Sequence, residues 1–79
     1  MHPMKRIRLR LGCSQDEIGH GMGCSRVNIS YYERGQTIPP DAARRLIAFA
    51  AKHGLALDFN HIYDGDRELP MLRREAQAA

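Results

Sequence analysis

The chain has 79 residues and a formal net charge of +3, with 27% charged residues and two cysteines. This length allows one small domain, and no apolar run is long enough to cross a bilayer. The first four residues lack the apolar centre of a signal peptide, so we expect a cytoplasmic protein without a membrane partner. Cysteines in that compartment are more often packing residues than a disulfide.

The basic residues are concentrated towards the amino end. Residues 1–12 carry four basic side chains and no acidic one, whereas residues 56–79 carry three basic and five acidic side chains. A basic amino half is typical of a protein that binds a polyanion at one end. An ordinary solvated surface is the alternative, and charge alone does not separate the two.

The first predicted helix has one apolar stripe. Met4, Ile7 and Leu11 recur at helical spacing, and Gly12 follows as the residue that ends the helix. The remaining faces carry basic side chains, namely Lys5, Arg6, Arg8 and Arg10.

The second predicted helix begins with a capping box. Ser14 and Glu17 have the S-x-x-E spacing in which each side chain accepts a hydrogen bond from the other residue's amide. Ile18 and Met22 then share one face of the helix. Gly23 ends it, because glycine adopts the positive φ of a sharp reversal without steric cost. Gly19 has no side chain and would let a neighbouring helix cross closely.

A third helix, over about residues 26–34, follows the turn. Ser25 is its predicted N-cap, and Gly35 closes it. Ile29, Tyr32 and Glu33 share one face, and the opposite face is formed by Arg26, Val27, Ser30, Tyr31 and Arg34. Two short capped helices joined by a glycine turn, the second with a polar outer face, indicate a helix-turn-helix.

At these residues the chain resembles the Cro and repressor family of lambdoid phages, also called the xenobiotic-response-element family. The runs SQDEIG (14–19) and GCSRVNISYYERG (23–35) carry the resemblance, which extends over about residues 4–65. The chain departs from the pattern at Cys13 and Cys24, where larger aliphatic residues are usual. It also has Gly19 and Gly21 in place of better helix formers, at about 1 kcal/mol each.

The resemblance implies an all-α fold, a compact five-helix bundle of the lambda-repressor type with the helix-turn-helix in helices 2 and 3. Helical periodicity throughout the chain favours the same fold class. The resemblance also implies an ion pair between Arg8 and Glu33, which would tie the first helix to the end of the third.

Two further helices are predicted after the helix-turn-helix. The fourth begins at Pro40, carries an apolar stripe from Ala43 to Ala50, and ends at Gly54. A short fifth helix is predicted over residues 56–63. It is too apolar to face only its own core, so we expect a dimer contact at Leu57, Phe59, Ile62 and Tyr63.

The domain is expected to span residues 1–65, followed by a tail over 66–79 that is partly helical or disordered. Leu69 and Pro70 interrupt this tail, and a last helical turn or two is predicted between Met71 and Ala78. The tail has few obvious core anchors.

The third helix is the predicted reader of DNA bases in the major groove. Its first turns supply the expected base contacts Arg26, Val27, Asn28 and Tyr31. Ser14 and Gln15 open the second helix, where free amides and the helix dipole attract a phosphate. The resemblance implies phosphate contacts from Arg34 and Gln36 as well.

Other chemistry is set aside. Cys13, His20 and Cys24 are too few and too widely spaced for a structural zinc site. A redox-sensing role for the cysteines is not favoured either, because nothing beyond nearby helix starts would activate their thiols. The glycines at 19, 21 and 23 do not make a phosphate-binding loop, because no strand precedes them. We therefore expect no metal, no cofactor, no catalytic residue and no enzymatic activity.

Two functions remain. The first is a sequence-specific regulator of transcription that represses by binding double-stranded DNA as a homodimer. The second is a protein-interaction module, such as an antitoxin or adaptor, with the same helical fold. The hydrogen-bonding and cationic side chains along the outer face of the third helix favour DNA, since an interaction module could carry Glu or Leu there.

Overall fold

The computed structural model describes residues 2–73. Within them are five α-helices and no strand: α1 (Pro3–Leu11), α2 (Gln15–Met22), α3 (Arg26–Glu33), α4 (Pro40–Lys52) and α5 (Phe59–Tyr63). The predicted all-α fold of five helices is therefore confirmed. No helix in this part of the chain has the length and apolar character needed to cross a bilayer.

Local side-chain caps determine where the first three helices begin. His2 accepts the Met4 amide through Nδ1 at 3.1 Å and caps α1. Ser14 and Glu17 form the complete capping box of α2, with hydrogen bonds of 3.1 and 3.0 Å. Ser25 accepts the Asn28 amide at 3.1 Å and caps α3. These three caps satisfy amides that a helix start leaves without an intrahelical partner.

The core lies where α2 packs against α3 and α4, with α1 and α5 closing its other side. Its largest fully buried side chains are Met4, Ile7, Ile18, Met22, Ile29, Leu46, Leu55 and Ile62. Leu55 is drawn under α4 because its amide bonds back to the Ala50 carbonyl at 2.9 Å.

The two glycines inside α2 make room for close packing. A β-carbon at Gly19 would lie 2.9 Å from the Cys24 carbonyl oxygen, and one at Gly21 would lie 2.2 Å from the Phe49 ring. The helix loses intrinsic stability at both positions but gains close contact with the turn and with α4.

The fifth helix begins later than predicted. It starts at Phe59, because Asp58 is the residue whose side chain caps it, accepting the His61 amide at 3.2 Å. In return, the Asp58 amide donates to His61 Nδ1 at 2.9 Å. Ala56 has no side-chain acceptor with which to start a helix, so it remains outside.

The segment that follows α5 is anchored better than its sequence suggests. Leu72 is buried and Leu69 packs partly against the core. The Arg6 guanidinium donates to the carbonyls of Gly65, at 2.8 Å, and Arg67. The tail was expected to have few core anchors, and within residues 66–73 these are Leu72 and, in part, Leu69. Most of the predicted last helical turn lies outside the described residues.

Candidate nucleic-acid interface

The turn between α2 and α3 is held from both sides. Gly23 adopts φ +68°, and the Cys24 amide donates to the Gly19 carbonyl at 2.8 Å. From α4, Arg45 donates through Nε to the Met22 carbonyl at the end of α2. A cation at a helix C-terminus is favourable for the helix dipole. This use of Arg45 was not predicted, because no local pattern links residue 45 to residue 22.

The α3 helix divides cleanly into an inner and an outer face. Ile29 and Tyr32 are buried, whereas the predicted base contacts are all exposed: Arg26, Val27, Asn28 and Tyr31. Val27 is 58% exposed and Tyr31 is 46% exposed, so neither side chain belongs to the core. The structure thus brings the four predicted readers onto one solvent-facing surface.

An ion pair lies behind this surface. Arg8 and Glu33 meet at 3.0 Å, with their side chains only 15% and 7% exposed. Arg8 also donates to the Cys13 carbonyl at 3.1 Å. Gln15 donates through Nε2 to the Glu33 carboxylate at 2.9 Å. One carboxylate therefore joins α1, the start of α2 and the end of α3.

The surroundings of Glu33 favour its ionised form. Burial by itself would raise the pKa of this carboxyl. The hydrogen bonds from Arg8 and Gln15, with the positive charges of Arg8 and Lys5, outweigh that effect and lower the pKa below its usual range. The carboxylate therefore stays charged and keeps Gln15 oriented at the start of α2.

A shallow hollow runs along the outer face of α3, and we call it the α3 hollow. Its lining residues are Gln15, Arg26, Val27, Ser30, Tyr31 and Arg34. A second depression surrounds the start of α2 and is lined by Arg8, Ser14, Gln15, Asp16 and Arg26. Gln15 and Arg26 border both, so the two depressions join the start of α2 to the outer face of α3. Asn28, the remaining predicted base contact, is exposed but lines neither of them.

The other two predicted phosphate contacts are separated from each other. Arg34 folds back over α3, where its Nη2 donates to the Ser30 hydroxyl at 2.9 Å and its Cζ lies 5.6 Å from the centre of the Tyr31 ring. Gln36 instead borders a different depression with Thr37 and Tyr63. The role of Ser30 was missed, although its i, i+4 spacing to Arg34 was visible in the sequence.

The predicted dimer contact is only half exposed. Leu57 and Ile62 are 8% and 2% exposed and belong to the chain's own core, so they are not available to a partner. Phe59 and Tyr63 are 43% and 47% exposed, and their rings lie nearly parallel with centroids 6.4 Å apart. Tyr63 also donates its hydroxyl to the Ile38 carbonyl at 2.6 Å.

The cysteines and histidines do not gather into a site. Within residues 2–73, no group of three or more His, Cys, Asp or Glu side chains is arranged to hold a metal ion. Cys13 and Cys24 are both free and half-buried. Burial, together with the negative charge of Glu17, raises the pKa of the Cys13 thiol and disfavours its thiolate.

Comparison with known proteins identifies a family. A family model described as helix-turn-helix matches residues 4–55, which is most of the chain and covers α2, α3, α4 and all but the first residue of α1. No curated protein and no solved structure matches.

Proposed function

The chain belongs to the helix-turn-helix family of Cro and C1-type DNA-binding regulators, and on this basis we propose that it reads a specific operator and represses transcription there. The observation that carries the proposal is the exposed outer face of α3, with Arg26, Asn28 and Tyr31 beside the apolar Val27. The core does not use these side chains, and together they offer the hydrogen-bonding and methyl groups that can bind base edges in a major groove.

Each of these side chains suits a base edge. Arg26 can make two hydrogen bonds to guanine, Asn28 can do so to adenine, and Val27 can touch a thymine methyl. Tyr31 lies one turn further along α3 and offers a hydroxyl or a ring edge. Because α3 begins at Arg26, three of these readers, Arg26, Val27 and Asn28, lie in its first turn, the part of a recognition helix that contacts base edges.

Phosphate contacts are proposed at the start of α2. The amides of the first turn and the dipole of α2 attract an anion beside Ser14 and Gln15. Gln15 is oriented by Glu33, and its Nε2 has a second hydrogen for a phosphate oxygen. Gln36 is proposed to contact the backbone at the other end of α3.

The bound form is proposed to be a symmetric homodimer. Phe59 and Tyr63 are the exposed part of the α5 surface, and two copies of their stacked rings would cover apolar area that a monomer leaves in water. Two-fold symmetry requires a near-palindromic operator with half-sites about 10 base pairs apart or a multiple of that. Occupying a promoter in this way is sufficient for repression.

Selection from random DNA duplexes with the purified protein tests the proposal. We expect enrichment of a near-palindromic sequence, and sedimentation should show two chains on each duplex. Arg26→Ala should weaken binding to the selected duplex by about 1–3 kcal/mol and relax preference at one base pair, with a much smaller loss on random DNA. Lys52→Ala, which removes an exposed cation from the last turn of α4, is the control.

Absence of any enriched sequence would refute the proposal. Recovery of a protein partner together with that absence would support the interaction module instead. An enriched but asymmetric site bound by one chain would retain the DNA function and refute the dimer.

A further inference from the structure

We propose that Arg34 is a base-reading residue that binds a guanine, and that Ser30 and Tyr31 hold its guanidinium in position to do so. This inference rests on the proposed function and replaces the phosphate contact that the family resemblance implies for Arg34. It adds a second arginine reader to α3 and gives Ser30 a role in specificity.

The first step is that Arg34 is restrained although it is exposed. Its Nη2 donates to the Ser30 hydroxyl at 2.9 Å, one helical turn back. Its Cζ lies 5.6 Å from the centroid of the Tyr31 ring, within the range of a cation–π contact. A hydrogen bond fixes one edge of the guanidinium and the ring limits its position on a second side.

The second step concerns where this restraint places the charge. Arg34 lines the α3 hollow together with Arg26 and Val27, which are proposed base contacts. The bond to Ser30 turns the guanidinium back along α3, whereas Gln36, just past the end of the helix, borders a separate depression. The guanidinium is therefore directed along the reading face of the helix.

The third step is the chemistry of the guanidinium. It has five N–H donors, so four remain after the bond to Ser30. The major-groove edge of guanine offers two adjacent acceptors, O6 and N7, which match two parallel N–H groups of arginine. A planar group that is already oriented loses less side-chain freedom when it forms such a pair. A phosphate can also accept two parallel N–H bonds from arginine, so the choice of guanine rests on the position of Arg34 in the α3 hollow beside Arg26 and Val27.

The geometry also fixes a spacing. Arg26, Ser30 and Arg34 recur every four residues and form one row along α3. The Cα atoms of Arg26 and Arg34 are thus about 12 Å apart along the helix axis, because each residue rises about 1.5 Å. The Arg34 guanidinium folds back one turn to Ser30, so it lies closer to the Arg26 position than its own Cα does. Base pairs rise about 3.4 Å, so the two guanines should be separated by up to three or four base pairs within one half-site.

The experiment uses the full chain and its selected duplex. Each guanine is replaced in turn by 7-deazaguanine, which lacks the N7 acceptor, and affinity is measured for each duplex. Wild-type protein should be sensitive at two guanines in each half-site. Arg34→Ala should lose about 5- to 150-fold in affinity, as expected for one bidentate pair, and become insensitive at one of those two guanines. Arg34→Lys should not restore that sensitivity.

Ser30 is tested as a positioning residue. Ser30→Ala should lower the affinity for the selected duplex by about 2- to 12-fold, the range expected from freeing the Arg34 side chain. It should cause no further loss of affinity when Arg34 is already alanine. Ser30→Thr retains the hydroxyl and should restore affinity. Alanine is also the better helix former, so Ser30→Ala should not lower the melting temperature. Arg67→Ala, an exposed arginine of the C-terminal segment, is the matched control and should change neither the affinity nor the guanine pattern.

Three results would overturn the inference. One is an equal loss by Arg34→Ala on every duplex, with the salt slope reduced by about one unit and Arg34→Lys retaining binding. Another is fewer than two sensitive guanines per half-site with wild-type protein, a measurement that does not depend on any variant folding. Both leave the proposed operator binding intact. A selection that enriches no sequence refutes the operator and this inference together.

Discussion

Removing either partner of the ion pair between Arg8 and Glu33 should lower folding stability, and removing Arg8 should lower it more than removing Glu33. Removing Arg8 leaves a carboxylate whose side chain is 7% exposed, with Gln15 as its remaining partner. Removing a partner from a buried pair costs about 3–5 kcal/mol, and we expect about 3 kcal/mol for Arg8→Met because some solvent reaches the site. For a domain of this size, that corresponds to a fall in melting temperature of about 12–24 °C.

The opposite change should cost less. Glu33→Gln leaves the Arg8 guanidinium, which is 15% exposed and retains its hydrogen bond to the Cys13 carbonyl. We expect a loss of about 2 kcal/mol for this variant. The double variant should lose about 3 kcal/mol rather than the sum of the two, so a double-mutant cycle should give about 2 kcal/mol of coupling. Urea denaturation of the four proteins measures these free energies, with Lys52→Met, which removes an exposed cation of α4, as the control.

The pH dependence provides an independent check with a definite sign. The pKa of Glu33 is lowered in the folded protein by Arg8 and Gln15 despite burial, which alone would raise it. The contribution of Glu33 to folding stability is therefore fully present above its pKa in the unfolded chain, about 4.3. That contribution is lost as the pH falls through the lowered pKa of the folded protein. In Arg8→Met, burial should dominate and raise the pKa, so that stability increases on acidification towards pH 5. Additive single changes, or an unchanged pH profile in Arg8→Met, would refute this reasoning.

Three other predictions concern packing and capping. Gly19→Ala should lower stability by about 1–3 kcal/mol despite its better helix propensity, because the new β-carbon meets the Cys24 carbonyl, and thermal unfolding measures it. Leu57→Ala should cost about 2–5 kcal/mol of folding stability, while Phe59→Ala should cost much less and instead weaken dimerisation on DNA, measured by sedimentation. Burial is the main cause of the lowered pKa of His2. The stabilisation that the neutral His2 side chain gives to α1 as its cap should therefore be fully present above about pH 6.5, the pKa of an unfolded histidine. It should be lost as the pH falls through the lower pKa of the folded protein. His2→Asn should retain the cap and abolish that part of the pH profile of unfolding.

The parts that sequence predicted well are those that local chemistry determines. The caps at Ser14 and Ser25 and the reversal at Gly23 depend on residues within one helical turn, and all three are confirmed. The start of α5 was misplaced because Asp58 was not recognised as a cap inside an apolar run. The exposure of the α3 readers followed from the same helical periodicity that placed Ile29 in the core.

The parts that were missed depend on contacts between distant residues. Arg45 reaches a carbonyl of α2, and Gln15 shares the carboxylate of Glu33, across 23 and 18 positions of sequence. Leu72 is buried only because the chain returns to the end of α4, where the Arg73 amide bonds to the Gly54 carbonyl at 2.7 Å. No short sequence pattern indicates such a contact with the end of α4, so sequence alone predicts a tail with few core anchors after α5.

The exposed outer face of α3 has a consequence for how this protein can change over evolutionary time. Arg26, Val27 and Asn28 lie outside the core, and the N-cap at Ser25 uses only the backbone amide of Asn28, not its side chain. Substitutions at these three positions should therefore cost little stability, so a lineage can acquire a new target sequence without first acquiring a stabilising mutation. Tyr31 is less free to vary, because Arg34 stacks on its ring. Redesign of specificity on this scaffold should change the first three residues independently and treat Ser30, Tyr31 and Arg34 as a unit.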